Sequence, residues 1–421
     1  MSEPQPPPPG PPEEADVAEP SIEADPEAQT SLAARWDLYQ RTGGVITPLL
    51  TAIFAFFVGG LVVLVTTGKN PLSTYRAIFD GTGLNWFFPW VTGQEREFAA
   101  EDLQQTLLVT TTLILVGIAV AFAFRCGLFN IGGQGQYIAG MIAALQVGVW
   151  LPDLAHVPHM ILAAGAGALA GAVWAGIAGI LKATVGAHEV ISTIMLNWIA
   201  LWIGSYLVGF NGPLQDPNQV FVPVTSEVSQ GAKLNVWWGD PKLQGLHIGF
   251  FVAIAALVVF WIVLNRTTLG YQVRAVGFNP EAARYGGISV GRNYFLAMAI
   301  SGAFAGLAGS VDILGWLFRV DLTSVQLSSQ IAFIGIAVAL LGRNTPLGIF
   351  FSALLFGALL NGTSTRNLDP TVFQPELASN LTLIIQGLVV LFVGADLLIL
   401  YLWRARAKLR RKLRSEPVAQ R

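Results

Sequence analysis

The feature that most constrains the fold of this chain is a succession of apolar runs, each about long enough to cross a lipid bilayer. Inside a bilayer no water is available to backbone groups, so such runs must form helices that satisfy their own hydrogen bonds. Of the 421 residues, 53% are hydrophobic and only 12% are charged, against about 25% charged in soluble domains. We predict an all-α polytopic membrane protein with about ten transmembrane helices, in the runs 45–67, 105–124, 135–150, 160–181, 189–209, 248–265, 294–316, 329–342, 346–361 and 380–400.

Basic residues orient these spans. Arg and Lys concentrate in connections that fall on one side of a ten-span arrangement, above all in 266–293, and positively charged connections remain in the cytoplasm. Both termini are then cytoplasmic. Residues 1–44 form an acidic, proline-rich tail expected to be disordered, and residues 45–403 form the transmembrane domain. Residues 404–421 form a basic tail suited to the headgroups of anionic lipids.

The connection 266–293 contains a short helical unit. Asn279 is a suitable N-cap, Pro280 suits the first helical position, and Gly286-Gly287 can end the helix. A short helix between two spans is poorly placed for catalysis and well placed to dock onto a soluble partner. A merely solvated loop is the alternative. The predicted docking surface comprises Arg274, Gly277, Asn279, Glu281, Ala282, Ala283, Arg284 and Gly287.

The energy source for any transport is not evident in this chain. The phosphate-binding pattern G-x-x-x-x-G-K-[ST] is absent, so we predict no ATP site and no enzymatic activity here. The spans lack central charged residues, and Asp312 and Asp396 lie toward the ends of theirs. Proton-coupled transporters usually need an intramembrane carboxylate or histidine, whereas sodium coupling through neutral oxygens stays open. The sequence favours a pore subunit driven by another protein.

Two polar segments interrupt the apolar runs, one around 127–136 and one around 187–197. Their amides and hydroxyls suit a path for a neutral, hydrogen-bonding solute, but they could equally hold helices together. Both interpretations remain open for the six candidates Asn130, Gln134, Gln136, Ser192, Thr193 and Asn197.

Other sites are weakly indicated. His156 and His159 are three residues apart and could contact one ion, but nearby prolines favour an ordinary interfacial turn, so we predict no metal site. The 210–247 loop is long enough to form an external cap.

One short sequence occurs twice. The pentapeptide GIAVA begins at Gly117 and again at Gly335, and each copy is followed at the same spacing by an arginine, Arg125 and Arg343. Internal duplication is common in transporters, so the two copies suggest related halves.

Four stretches resemble the permease subunits of bacterial ABC importers, in the branch that includes ribose, branched-chain amino acid and nucleoside systems. They are FRCGLFNIGGQGQ (124–136), AHEVISTIMLNWIA (187–200), LGYQVRAVGFNPEAARYGGI (269–288) and VALLGRNTPLGI (338–349). The combination is most similar to nucleoside, or simple-sugar, permeases. An acidic residue often stands at the position of Gln134 in that family, and here it is an amide.

The resemblance implies an assembly in the bacterial plasma membrane. Two permeases, which in nucleoside systems are often different chains, would associate with cytosolic ATPases that bind ATP and Mg²⁺, and with an external lipid-anchored solute-binding protein. The loop around Gly277–Gly287 would be the coupling helix. The partners expected are therefore these proteins, a small solute and membrane lipids, without nucleic acid. The rivals are an ion-coupled secondary transporter of a neutral polar solute and, less favoured, a membrane enzyme acting on lipid-linked substrates.

Overall fold

The computed structural model describes residues 53–65, 68, 70–241, 244–327 and 329–364, together with residues 383, 384, 387, 388 and 391. We number thirteen α-helices in this part of the chain: α1 (Ile53–Val65), α2 (Pro71–Gly81), α3 (Gln94–Arg125), α4 (Gly133–Trp150), α5 (His156–Val185), α6 (Glu189–Val208), α7 (Gly249–Arg266), α8 (Thr268–Phe278), α9 (Pro280–Tyr285), α10 (Val290–Asp312), α11 (Leu322–Leu327), α12 (Ser329–Leu341) and α13 (Pro346–Gly362). A π-helical turn, Ile313–Leu317, continues α10, and 3₁₀ turns lie at Leu84–Phe87 and Gln230–Ala232. The two strands are β1 (Val236–Trp238) and β2 (Leu246–His247).

The apolar runs coincide with helices. Each of the eight predicted runs from 105–124 to 346–361 matches one helix. Among the described residues, six helical segments are long and apolar enough to cross a membrane: Gln94–Arg125, His156–Val185, Glu189–Val208, Gly249–Arg266, Val290–Leu317 and Leu322–Leu341. The helical membrane fold is therefore confirmed. The predicted run 380–400 lies almost wholly outside the described residues, as do both predicted tails.

Helix α3 begins eleven positions earlier than its apolar run predicts. It starts at Gln94 and spans 32 residues, or about 48 Å at 1.5 Å per residue, whereas the hydrocarbon core of a bilayer is about 30 Å thick. Its first turns are rich in Glu, Gln and Ala, which are good helix formers although they interrupt the apolar pattern.

The helices α4, α5 and α10 pack with their backbones in direct contact. A Cβ atom built on Gly171 would lie 2.2 Å from the carbonyl oxygen of Gly302, and one on Gly306 would lie 2.3 Å from that of Gly167. Gly140 of α4 approaches the Gly306 carbonyl equally closely. Helices in a membrane gain little hydrophobic energy by associating, so close packing through small residues is a main source of their cohesion.

The two copies of the repeated pentapeptide pack against each other. A Cβ atom on Gly117 of α3 would lie 2.7 Å from the side chain of Val338 in α12, and Gly335 contacts α3 in a similar way. Just beyond the copies, Nη2 of Arg125 donates to the carbonyl oxygen of Asn344 at 2.7 Å. The structure thus brings the repeated segments together at the centre of the helical bundle.

The 210–247 loop is folded onto one end of α10. Strands β1 and β2 pair antiparallel within it. The backbone N–H groups of Leu234 and Val228 donate to the carbonyl oxygens of Leu314 and Phe318, both at 2.8 Å. Since α8 and α9 precede the first residue of α10, the loop and the α8–α9 segment lie at opposite ends of that helix.

Candidate functional site

The short helix predicted in the polar connection is α9, and its ends form as the sequence indicates. Oδ1 of Asn279 accepts hydrogen bonds from the backbone N–H groups of Glu281 and Ala282, at 3.0 and 3.1 Å. Gly287 adopts the left-handed conformation, with φ of +78°, that an L side chain would strain. The cap and the glycine therefore define a short helix of six residues with fixed ends.

The α8–α9 segment is anchored to the bundle along its inner face. Val273 and Val276 of α8 and Ala283 of α9 are buried. A Cβ atom on Gly277 would lie 2.3 Å from the carbonyl oxygen of Arg125, at the end of α3. Gly277 therefore allows α8 to rest directly on the end of a long span, and any larger residue would separate the two.

The outer face of the same segment is exposed and aromatic. Phe278 is 91% exposed and Tyr285 is 93% exposed. Between them, Arg284 and Glu281 form an i,i+3 ion pair of 3.2 Å that is exposed on both sides. Of the other predicted docking residues, Ala282 is exposed and Arg274 is half-buried, with Nη1 3.4 Å from Oδ1 of Asn265.

The sequence prediction omitted both aromatic residues. The available signal was their isolation, because Phe278 and Tyr285 stand in a polar connection. Aromatic side chains that have no intramolecular packing are common anchors of protein interfaces.

Asn130 and Gln136 are bonded mainly to each other. Nδ2 of Asn130 donates to Oε1 of Gln136, and Nε2 of Gln136 donates to Oδ1 of Asn130, both at 2.9 Å. Asn130 also donates to Ser301 of α10 at 2.7 Å and accepts from the backbone of Gly132 at 2.8 Å. Both amides are almost completely buried. These contacts hold the irregular entry to α4 against α10.

The three candidates on α6 also bond within the protein. Asn197 accepts from the backbone N–H of Gly135 at 2.8 Å and donates to the carbonyl of Ile131 at 2.9 Å. The hydroxyls of Thr193 and Ser192 donate to backbone carbonyls of their own helix, at Glu189 and His188. Asn197 thus fastens α6 to the same irregular segment.

Gln134 differs from the other five candidates. It is 8% exposed, and its amide makes no hydrogen bond to a described residue. Its neighbour Gly133 faces Ala332 of α12, and Ile138, one turn further along the face of Gln134, packs against Gly204 of α6. Gln134 therefore lies on the side of α4 that faces α6, and no described residue bonds its amide.

The two histidines considered as an ion site, His156 and His159, bond to protein groups. The ring of His156 bonds the Gly231 carbonyl at 2.9 Å and Oδ1 of Asn235 at 3.0 Å, and Nε2 of His159 lies 3.1 Å from the Val147 carbonyl. In the part of the chain that the structure describes, no three His, Cys, Asp or Glu residues are grouped to hold a metal ion.

Two ionisable groups of the 210–247 loop have shifted pKa values. Hydrogen bonds from Lys233, at 2.6 Å, and from Arg319, at 2.8 Å, lower the pKa of Glu227. Burial lowers the pKa of His247 to about 4. His247 is therefore neutral at physiological pH, and its Nδ1 accepts from the Gly249 N–H at 3.1 Å.

Comparisons with known proteins show the family of the chain. Residues 103–394 match the family described as branched-chain amino acid transport system, permease component. The chain is 36% identical over 365 residues to the guanosine ABC transporter permease protein NupP of Bacillus subtilis, covering 85% of this chain and 95% of that protein. It is 34% identical over 364 residues to the nucleoside ABC transporter permease protein NupB of Lactococcus lactis, covering 85% and 93%.

A third relative has a different solute in its name. The glucose ABC transporter permease protein TsgB13 of Haloferax volcanii is 35% identical over 356 residues, covering 82% of this chain and 86% of that protein. No solved structure matches the chain. The chain belongs to the family of permease components of branched-chain amino acid transport systems.

Proposed function

We propose that this chain is the membrane-spanning permease subunit of an ATP-driven ABC importer that translocates nucleosides, or a related sugar-containing solute, by alternating access. The names of NupP and NupB support a nucleoside, and that of TsgB13 keeps a sugar as the alternative. The uncharged amide of Gln134, near the start of α4, suits a neutral solute that forms hydrogen bonds.

The proposed topology has about ten spans, with both termini in the cytoplasm of a bacterium and the chain in its plasma membrane. The arginines of the α8–α9 connection support this orientation by the positive-inside rule. The 210–247 loop, at the other end of α10, is then external. Residues 1–44 and 404–421 are proposed as cytoplasmic tails flanking the permease domain 45–403.

The observation that carries the proposal is the outer face of the α8–α9 segment. It presents Phe278 at the end of α8 and Tyr285 at the end of α9, with the charged pair of α9 between them. The segment is held by the N-cap of α9 and by the contact of Gly277 with α3. Rigid, exposed aromatic residues next to charges are the composition of a protein interface. We propose that a cytosolic ABC ATPase docks here, binds ATP and Mg²⁺ itself, and moves α9 during its cycle.

The remaining partners are proposed from the relatives. Bacillus subtilis and Lactococcus lactis each have a second, less similar permease, NupQ and NupC, so we propose that this chain pairs with a different permease chain. An external lipid-anchored binding protein would deliver the solute to the side of the 210–247 loop, and bilayer lipids surround the assembly. This chain itself needs no cofactor and has no catalytic residues.

We propose that Gln134 contacts the solute and that the other five candidates shape the path. Asn130, Gln136 and Asn197 have their amides engaged by protein groups, whereas Gln134 retains a donor and an acceptor. The amide of Gln134 can bond a sugar hydroxyl or a nucleobase edge without introducing a charge into the membrane.

The test is uptake of labelled guanosine, uridine, ribose and glucose by vesicles that contain this permease, its partner permease, the ATPase and the binding protein. We expect ATP-dependent uptake of a nucleoside, which Glu281→Arg abolishes together with ATPase docking. Glu97→Arg, an exposed carboxylate near the other end of α3, is the matched control and should leave ATPase docking intact. Uptake by this chain alone, driven by a sodium gradient and indifferent to Glu281→Arg, would instead establish the secondary transporter.

A further inference from the structure

Asp312 is a buried carboxylate in a membrane-spanning segment. It ends α10, is 3% exposed, and accepts three hydrogen bonds from neutral donors. Oδ1 accepts from the hydroxyl of Thr112 in α3 at 2.5 Å and from Nε1 of Trp316 at 3.2 Å, and Oδ2 accepts from the hydroxyl of Tyr137 in α4 at 2.7 Å. No cationic side chain of the described residues forms an ion pair with it.

Burying a carboxylate in this way costs more free energy than a purely structural contact between helices requires. Removing a carboxylate from water costs several kcal/mol, and no opposite charge compensates it here. Ionisable residues inside membrane segments are rare and usually functional. The sequence analysis placed Asp312 toward the end of a span, and the structure surrounds it with α3, α4 and the π turn.

The 210–247 loop is hydrogen-bonded to the π turn that follows Asp312. Trp316, one of the three donors, belongs to this turn, and the carbonyls of Leu314 and Phe318 accept the loop's backbone hydrogen bonds. Gly315 lies against the ring of His247, close enough that a Cβ atom would be 2.3 Å from Nε2. π turns within helices frequently occur at functional positions, where they permit local rearrangement.

The other end of the same helical segment follows α9. Only the residues 286–289 separate α9 from α10. The segment Val290–Leu317 has 28 residues, about 42 Å in length, and its middle is in backbone contact with α4 and α5. One continuous helical segment therefore connects the proposed ATPase-docking surface to the folded external loop.

We propose that Asp312 is a positioning residue of the transport cycle. It would hold the outer end of α10 to α3 and α4 in one state, and release of its hydrogen bonds would let α10 carry the 210–247 loop with it when the ATPase moves α9. This inference rests on the proposed function, because it assumes that an ATPase acts on α9. It assigns the communication between the two sides of the membrane to a specific carboxylate and its donors, Thr112, Tyr137 and Trp316.

The experiment compares Asp312→Asn and Tyr137→Phe in the complete complex, reconstituted in vesicles. Tyr294→Phe, on α10 but with a hydroxyl that makes no hydrogen bond to a described residue, is the matched control. Three quantities are measured: basal ATP hydrolysis, its stimulation by solute-loaded binding protein, and solute imported per ATP. We expect both test variants to retain basal hydrolysis but to lose at least fivefold in stimulation and in solute per ATP. Tyr294→Phe should match the wild type.

Each other outcome is decisive. If hydrolysis, stimulation and melting temperature fall in proportion, with the solute-per-ATP ratio unchanged, Asp312 is only a structural tie and the proposal is wrong. The proposal is also wrong if both variants behave like the wild type, or if neither assembles. If the wild-type complex shows no ATP-dependent import, the proposed function itself fails, whatever the variants do.

Discussion

The segment around α4 and the α8–α9 segment are both rich in polar residues, yet the structure uses them in opposite ways. Around α4 the amides of Asn130, Gln136 and Asn197 are buried and bonded to protein groups. On the outer face of the α8–α9 segment the side chains of Phe278, Glu281, Arg284 and Tyr285 are exposed, and the two aromatic residues are the most exposed of them. Residue type alone therefore does not identify a binding site. The two segments differ in whether their side chains already have partners within the protein. Most of the amides around α4 have such partners, whereas the aromatic side chains of the α8–α9 segment have none.

The largest effect is expected from breaking the packing of α5 against α10, which supports the buried polar segment around α4. Gly171→Val would place side-chain atoms where the backbone of Gly302 and Gly306 now lies. Because backbone cannot move aside, we expect a loss of about 3 kcal/mol or more, or failure to fold. Gly165→Val is the matched control, since a Cβ atom there meets nothing within 4 Å. Yield and melting temperature of the purified protein measure the difference, and equal values would show that α5 and α10 separate easily.

The next largest effect is expected on ATPase docking at the exposed α8–α9 segment. Replacing Phe278 and Tyr285 together by Ala should weaken ATPase docking by about 2 kcal/mol or more, roughly thirtyfold in affinity, because truncated interface anchors cost that much. The melting temperature of the isolated permease should not change, since neither side chain packs within the chain. Tyr271→Ala, another exposed aromatic of α8, serves as the control. Affinity is measured by titrating purified ATPase, and an unchanged affinity would place the docking surface elsewhere.

A smaller effect on stability is expected to distinguish Asn130 from Gln134, both in the segment around the start of α4. Asn130→Ala should lower stability by about 2 kcal/mol, because Gln136, Ser301 and Gly132 lose a partner. Gln134→Ala should cost less stability than Asn130→Ala, because it removes buried side-chain atoms but breaks no hydrogen bond to a described residue. We expect it to raise the KM of uptake instead. Thermal unfolding and uptake kinetics test both halves, and a reversal of the two results would exchange their roles.

The smallest effect is a dependence on pH. The unfolded chain protonates His247 near its ordinary pKa of 6.5, whereas the folded protein resists protonation until about pH 4. Unfolding therefore takes up a proton in this window, and stability falls as the pH drops from 6.5 toward 4. At pH 5.5 this group contributes a loss of about 1 kcal/mol relative to pH 7.5. Thermal unfolding at the two pH values should show the loss, and His247→Gln should reduce the difference between them. A wild type with equal stability at both would contradict the burial of this ring.

The helical membrane class, most helix positions and the short helix α9 could be predicted from the residues alone. These follow from local rules: apolar runs of spanning length must be helical in lipid, and Asn-Pro before a short segment ending in Gly-Gly specifies both helix ends. Helix α3 is longer than its apolar run predicts, because the residues before that run interrupt the apolar pattern but are still good helix formers.

Which polar groups form hydrogen bonds depends on how the helices pack together. The partner of Asn130 on α10 is Ser301, 171 positions away, and the donors to Asp312 come from two other helices. Hydrogen-bond satisfaction and burial depend on such long-range contacts, which no local pattern encodes. For the same reason the exposure of Phe278 and Tyr285, the unused amide of Gln134 and the buried carboxylate of Asp312 became visible only when the helices were packed together.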